Sequence, residues 1–184
     1  MFKLQIKYLS FFFGIVSILS FFNILYSYYF NLYLNLDTYY FTLIASSILF
    51  ITFFKFGKYD IKSNIFQKIL TIFLGYLLIP LVLSIPFYFS IYNLTFSNSF
   101  FEAISGFTST GFTIFENIKL IDQSLIIWRS TTQWIGGLYF LFSIIYLIDI
   151  YDDSFKKTLT NFISFNSLEI LKQATKIFIL YSLL

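Results

Sequence analysis

The sequence contains no cysteine and no histidine. The first absence excludes disulfides, thiolate metal sites and cysteine nucleophiles, and the second removes the commonest general base and metal ligand. Most enzyme readings lose their working residues at once. What remains is a scatter of carboxylates, with Glu102 and Glu116 on opposite sides of one polar segment and no convergent acid/base pair. No enzymatic activity is expected, and no cofactor. Charge is scarce too: 11% of residues are charged, against roughly 25% in soluble domains. Few Ala, Gly and Pro alongside abundant Phe, Tyr, Ile, Asn and Lys read as a compositional bias of the source genome, with no functional content.

What is present is apolar. Of 184 residues, 58% are hydrophobic and 24% aromatic, and the mean hydropathy is +0.80. A water-soluble core cannot hide that much apolar surface. Tyr8–Leu36, Thr38–Phe54, Ile69–Phe101 and Ser130–Ile148 are uncharged or nearly so, and each reaches or approaches the roughly 17–25 residues that cross a bilayer. The fold class expected is all-α integral membrane, with four transmembrane helices. The start of the chain, with Lys3 and Lys7 ahead of an apolar run, has the outline of a signal peptide. Its apolar run is about twice the usual length and lacks a small-residue cleavage site, so residues 8–30 are read as a retained helix.

Lysines fall in three clusters: Lys3 and Lys7; Lys55, Lys58, Lys62 and Lys68; Lys156, Lys157, Lys172 and Lys176. If all three are cytoplasmic, as the positive-inside rule requires, an even number of crossings separates each pair, and the apolar runs supply it. The path then starts inside, crosses through 8–30, turns at 31–38 and returns through 38–54. A third helix, 69–90, leads outward with Pro80 and Pro86 in its second half, and a fourth, 124–149, comes back. Asp149, Asp152 and Asp153 mark a solvated cytoplasmic helix end. Apolar residues resume at Ile177 and run to Leu184; even counted from Leu168 the stretch is interrupted by Lys172 and Lys176, so it reads as the start of a further helix cut short, with an interfacial helix on the inner leaflet as the alternative. Three parts follow: 1–68, a helix pair and basic loop; 69–151, a helix, pore loop, helix repeat; and 152–184, a cytoplasmic segment and the start of a further helix.

Residues 93–119 read neither as a spanning helix nor as an ordinary loop. Ser99 and Glu102 have the spacing of a capping box, and Phe100, Phe101, Ile104 and Phe107 give the helix it starts an apolar face ending near Gly106–Thr108. About nine residues cover roughly 13 Å, less than half the hydrocarbon thickness, so this helix dips in without crossing. Irregular backbone at that depth is tolerated only where it is buried in protein or lines a water-filled cavity. The irregular stretch is Thr108-Ser109-Thr110-Gly111-Phe112-Thr113. It suits dehydration of a potassium ion, because successive backbone carbonyls can replace the ion's water. Gly111 permits conformations other residues resist, and the helix C-terminus favours a cation nearby. By itself the motif is equally that of an exposed turn.

SGFTSTGFT at Ser105–Thr113, then WRSTTQWIGG at Trp128–Gly137, resemble the TrkH/KtrB/HKT superfamily of potassium transporters. Ser84-Ile85-Pro86-Phe87 stands where that family has a small-x-Pro-Phe helix end. The resemblance implies a subunit of four helix, pore loop, helix repeats around one pore, of which this sequence holds one, preceded by the extra helix pair of the TrkH branch. It implies that carbonyls of Ser109, Thr110, Gly111 and Phe112 ligate K+, with Thr108, Thr113 and Glu102 supporting the filter. Ser109 replaces the family's usual Thr, and Phe112 its small residue. Arg129, Gln133, Trp134 and the Gly136-Gly137 pair can be read as a scaffold fixing the outer pore; the simpler reading, preferred over direct ion contact, is interfacial and packing roles, with Trp128 and Arg129 at the outer membrane interface.

Glu102, Glu116 and Asp122 fall on the outer side, Glu102 as a cap for its own helix. Asn93-Leu94-Thr95 fits a glycosylation sequon, taken as chance because the resemblance points to a bacterial inner membrane protein with a cytoplasmic N-terminus. The expected function is potassium uptake as part of a TrkH-like transporter. A non-conducting structural or assembly subunit is the alternative, because one repeat supplies one quarter of a filter. The remaining repeats would come from self-assembly or from another chain, and the abrupt end inside an apolar run favours a truncated chain. Membrane lipids and a TrkA-like cytoplasmic nucleotide-binding subunit are the expected partners, and nucleic acid is not.

Overall fold

The computed structural model describes residues 7–57 and 65–148, together with 172, 175–177 and 179–180. Lys3, Lys58, Lys62, Asp149, Asp152, Asp153, Lys156 and Lys157 lie outside the described residues, as does most of the C-terminal stretch, whose six described positions are helical. The long elements are α1 (Lys7–Tyr29), α2 (Leu36–Phe56), α3 (Ile65–Leu83) and α6 (Gln123–Ile148). Between α3 and α6 lie the short α4 (Ile85–Tyr88), α5 (Phe96–Phe107) and a 3-10 turn at Ile118–Leu120. Among the described residues there is no strand.

Three segments are long and apolar enough to cross a membrane: Lys7–Tyr29, Leu36–Phe56 and Phe66–Tyr88. The 26-residue α6 is longer, but Arg129, Ser130, Thr131, Thr132 and Gln133 interrupt its apolar character and it does not join them. The span expected as one helix over 69–90 divides at Ser84. Pro86 has no amide hydrogen and its ring crowds the preceding turn, while Ser84 Oγ bonds back to the Leu81 carbonyl at 2.7 Å.

The long helices alternate in direction. At one end Lys7 lies over the Phe54 ring, 5.0 Å from its centroid, Tyr8 meets Tyr146 at 5.0 Å, and Lys68 lies 5.4 Å from the Tyr146 ring. That end therefore holds the starts of α1 and α3 and the ends of α2 and α6. At the opposite end Asn23 Nδ2 donates to the Ser124 carbonyl at 3.2 Å, and Tyr39 OH and Ser124 Oγ share a hydrogen bond of 2.9 Å. Asp122 Oδ2 accepts from Asn35 Nδ2 at 2.9 Å and from Ser124 Oγ at 2.6 Å. Asn35 Oδ1 takes the Ile91 amide at 3.1 Å, and the Asp122 amide donates to Tyr92 OH at 2.8 Å. This junction ties the leading helix pair to the start of α6. Polar groups withdrawn from water need such partners, each net hydrogen bond contributing about 0.5–1.5 kcal/mol.

The core between α1, α3, α5 and α6 is aromatic. Phe12 and Tyr139 meet edge-on at 4.8 Å, Tyr76 and Tyr139 at 5.0 Å, and Phe142 stacks with Tyr146 at 5.3 Å. Trp128, expected at the membrane interface, is instead fully buried. Its indole nitrogen donates to the Leu83 carbonyl at 3.0 Å, which caps the carbonyl left open where α3 ends.

The α3/α6 contact depends on Gly75, where a Cβ would overlap the Tyr139 hydroxyl, the same hydroxyl that donates to the Ile72 carbonyl at 2.9 Å. Gly75→Ala is expected to destabilise the protein by about 1–3 kcal/mol through overpacking. Gly14→Ala, whose Cβ would come 3.3 Å from the partly exposed Phe50 ring, is expected to change stability by less than about 1 kcal/mol, because better helix propensity offsets the contact. Thermal unfolding of the two variants in detergent checks the contrast.

Candidate functional site

The segment 95–115 builds the site, starting with the cap of α5. Thr95 has extended backbone and its Oγ1 accepts the Asn98 amide at 3.3 Å, so the helix opens one turn before the expected Ser99 start. Ser99 is already inside the helix, and its hydroxyl bonds back to the Thr95 carbonyl at 3.0 Å. The face that α5 buries is mostly small or polar, Ser99, Glu102, Ala103, Ser105 and Gly106, with Phe107 at its end. Phe101, expected on an apolar buried face, is 46% exposed. The reason is close approach to α6, where a Cβ on Gly106 would meet Thr132 Oγ1 and one on Gly136 would meet the Phe107 carbonyl. Large side chains on that face would hold the helices apart.

The helix ends in a Schellman-type turn. The Ser109 amide donates to the Gly106 carbonyl at 2.9 Å and the Thr110 amide to the Ser105 carbonyl at 3.1 Å. Ser109 sits at φ 56°, in the left-handed region that glycine usually fills at this position, and Gly111 follows at φ 79°. Thr108 Oγ1 donates to the Ile104 carbonyl at 2.8 Å, and Thr110 Oγ1 lies 3.1 Å from Ser105 Oγ. The α5 terminus meets the middle of α6 at Gly136, and the chain then returns to the end of the bundle where α5 began.

One face of the returning loop is braced by Glu102. This carboxylate has no exposed side-chain surface, and Arg129 Nε meets its Oε1 at 2.5 Å. Thr113 Oγ1 lies 3.1 Å from both carboxylate oxygens, and the Ile114 amide donates to Oε2 at 3.1 Å. Glu102 is thus the buried brace of the loop and not a cap for its own helix. Arg129 extends the brace: its Nη2 lies 3.5 Å from the Gly111 carbonyl and 3.4 Å from that of Phe112. The Phe112 carbonyl also accepts Ser105 Oγ at 2.6 Å. On the other face Thr108, Ser109, Thr110 and Gly111 are exposed, a Cβ on Gly111 would touch nothing within 4 Å, and the Phe112 ring is 69% exposed. The loop is therefore fixed from behind and open in front.

No signal in the sequence pairs Glu102 with Arg129 across 27 positions. The nearest hint is that both carry charge inside otherwise uncharged segments, where an ionic group needs a partner. Asp122 likewise belongs to the helix junction rather than to an exposed outer mouth, whereas Glu116 is exposed.

The chain is similar in sequence to known proteins over part of its length. An uncharacterised cation transporter of Methanocaldococcus jannaschii is 35% identical over 65 residues, covering 35% of this chain and 14% of that protein. The Trk system potassium uptake protein TrkI of Halomonas elongata is 38% identical over 60 residues, 33% of this chain and 11% of the relative. TrkH of Escherichia coli K12 is 33% identical over 82 residues, 44% of this chain and 17% of the relative. The matched stretches thus span less than a fifth of the length of each of these relatives. No family model and no solved structure matches the chain. The resemblance to the TrkH-like superfamily stands on these partial matches.

Removing one member of a buried ion pair leaves the other charge uncompensated, at a cost of about 3–5 kcal/mol. Glu102→Leu is expected to fall in that range, and Glu102→Leu with Arg129→Leu to lose less than the two single changes summed. A double-mutant cycle on unfolding in detergent measures the coupling, and a coupling near zero would show that the two groups act independently.

Proposed function

We propose that this TrkH-like chain supplies one helix, pore loop, helix unit of a potassium uptake pathway. Four crossings are proposed, by α1, α2, α3 with α4, and α6, with α5 as a re-entrant helix between the last two. Its 12 residues extend about 18 Å, short of the roughly 30 Å hydrocarbon core. The N-terminus is assigned to the cytoplasm of a bacterial inner membrane, since Lys7 and Lys68 gather at one end of the bundle, with the last turn of α2 that carries Lys55. The loop then lies toward the outside.

The observation that carries the reading is a backbone loop with left-handed residues at Ser109 and Gly111, clamped on one face and open on the other. A filter must hold oxygens at fixed positions while leaving one side clear for the ion, since K+ exchanges its hydration shell for carbonyls only where these are already placed. In this reading Ser109, Thr110 and Gly111 present ligating carbonyls. The Phe112 carbonyl, engaged by Ser105 and Arg129, braces the loop in place of the ligand role the family resemblance implied for it. Thr108, Thr113 and Glu102 support the arrangement. The α5 C-terminus adds partial negative charge beneath it.

One loop surrounds an ion on one side only. Further repeats, from other copies or from another polypeptide, complete the ring in this proposal, and a TrkA-like nucleotide-binding subunit is the proposed cytoplasmic regulator. Lipid covers the apolar outer faces, among them Phe41, Ile44, Ile48 and Ile51 of α2, each at least half exposed or close to it.

The test grafts residues 105–113 in place of the corresponding loop of E. coli TrkH and follows growth of an uptake-deficient bacterium at limiting potassium. The graft is expected to support growth, and the same graft with Gly111→Asp is expected to abolish it, because a side chain at φ 79° strains the loop and adds a charge beside the carbonyls. A graft that reaches the membrane at normal levels yet fails to support growth would overturn the filter assignment.

A further inference from the structure

The C-terminal end of α5 opens onto a cavity of about 390 Å³ whose lining includes Tyr76, Phe107, Thr108, Ser109, Gly136 and Phe140. That volume lies in the range of small-molecule sites, about 300–1,000 Å³. Aromatic side chains enter from three helices: Tyr76 from α3, Phe107 from the last turn of α5 and Phe140 from α6. Tyr76 and Phe107 meet edge to face with ring centroids 5.6 Å apart, and Phe140 is 58% exposed. No residue lining the cavity is basic.

Two features give this apolar space a preference for positive charge. Aromatic rings carry negative potential on their faces and attract cations. The C-terminal end of α5, whose Phe107 carbonyl packs against Gly136 at the cavity wall, adds partial negative charge beside it. A bare alkali ion gains little here, because rings do not replace a tightly held hydration shell. A cation whose charge is spread over an alkyl surface is weakly hydrated and matches both the walls and the potential.

We propose that this cavity is a binding site for organic cations of the quaternary ammonium class, with Tyr76 and Phe140 as its cation–π walls. The assignment goes beyond potassium uptake and rests on the cavity lining alone, so it is tested on binding and not on transport.

The experiment uses the purified full chain in maltoside micelles and ligand-observed NMR titration with choline and with 3,3-dimethylbutan-1-ol, the neutral isostere in which carbon replaces the charged nitrogen. Empty micelles correct for partitioning. Choline is expected to bind about 5- to 30-fold more tightly than the alcohol, the span of one desolvated cation–π contact or more. Phe140→Leu is expected to remove most of that preference while leaving the alcohol unchanged, and Phe140→Trp to retain it. Because Phe140 is largely exposed, these variants are expected to keep the unfolding temperature of the parent, which is measured alongside. Equal binding of the two probes, no saturable choline binding, or a choline affinity indifferent to Phe140→Leu would each overturn the proposal.

Discussion

The loop after α5 keeps its shape because one fully buried carboxylate is met from three directions. Glu102 takes the Arg129 guanidinium, the Thr113 hydroxyl and the Ile114 amide. An ionised group in so apolar a setting is tolerated only with its charge matched and its lone pairs occupied. Satisfying Glu102 therefore dictates where α5, the loop and the first half of α6 stand relative to one another. Arg129 uses Nη2 on the carbonyls of Gly111 and Phe112, which couples the ion pair to the loop backbone. Of the polar residues that keep α6 from reading as a simple membrane span, Arg129 builds this contact and Thr132 packs against Gly106 of α5.

A second polar junction does comparable work for the leading helix pair. Asp122, Asn35, Ser124 and Tyr39 link α1 and α2 to the start of α6, and the Ile91 amide joins through Asn35. Hydrogen bonds among groups shielded from water hold fixed geometry, since a lost partner leaves a desolvated donor or acceptor. Further along α6 the aromatic core around Tyr139 fills the volume, and its close packing depends on absent side chains at Gly75 and Gly136. A small residue on one helix here serves a large or polar one on its neighbour.

How much was legible beforehand depended on whether the signal was local. Uninterrupted apolar runs located α1 and α2 to within about two residues but did not mark the break at Ser84 or the first turns of α6, and the described lysines Lys7 and Lys68 do share one end of the bundle. Ser99 and Glu102 had capping-box spacing, but Thr95 took the cap and left Glu102 for Arg129, because a buried guanidinium is the stronger partner for a carboxylate than a helix amide. Trp128 carried the composition of an interfacial anchor and became a core residue through the carbonyl of Leu83. The turn at Ser109 was not readable, because the residue that ordinarily marks a left-handed helix end is glycine and this chain has serine there.

The sequence by itself determined an all-helical chain with membrane-capable segments, a polar, glycine-containing loop flanked by helices, and a resemblance to TrkH-like potassium transporters. These follow from composition, run length and short motifs, which act over a few neighbouring residues. Only the tertiary structure decided that Glu102 faces Arg129, that Asp122 joins the helix junction, and that the loop is braced on one side and open on the other. Those outcomes bring together groups up to 87 positions apart. In so apolar a chain the few charged and polar side chains take whichever partner the packed helices bring within reach, and spacing along the chain does not encode that choice.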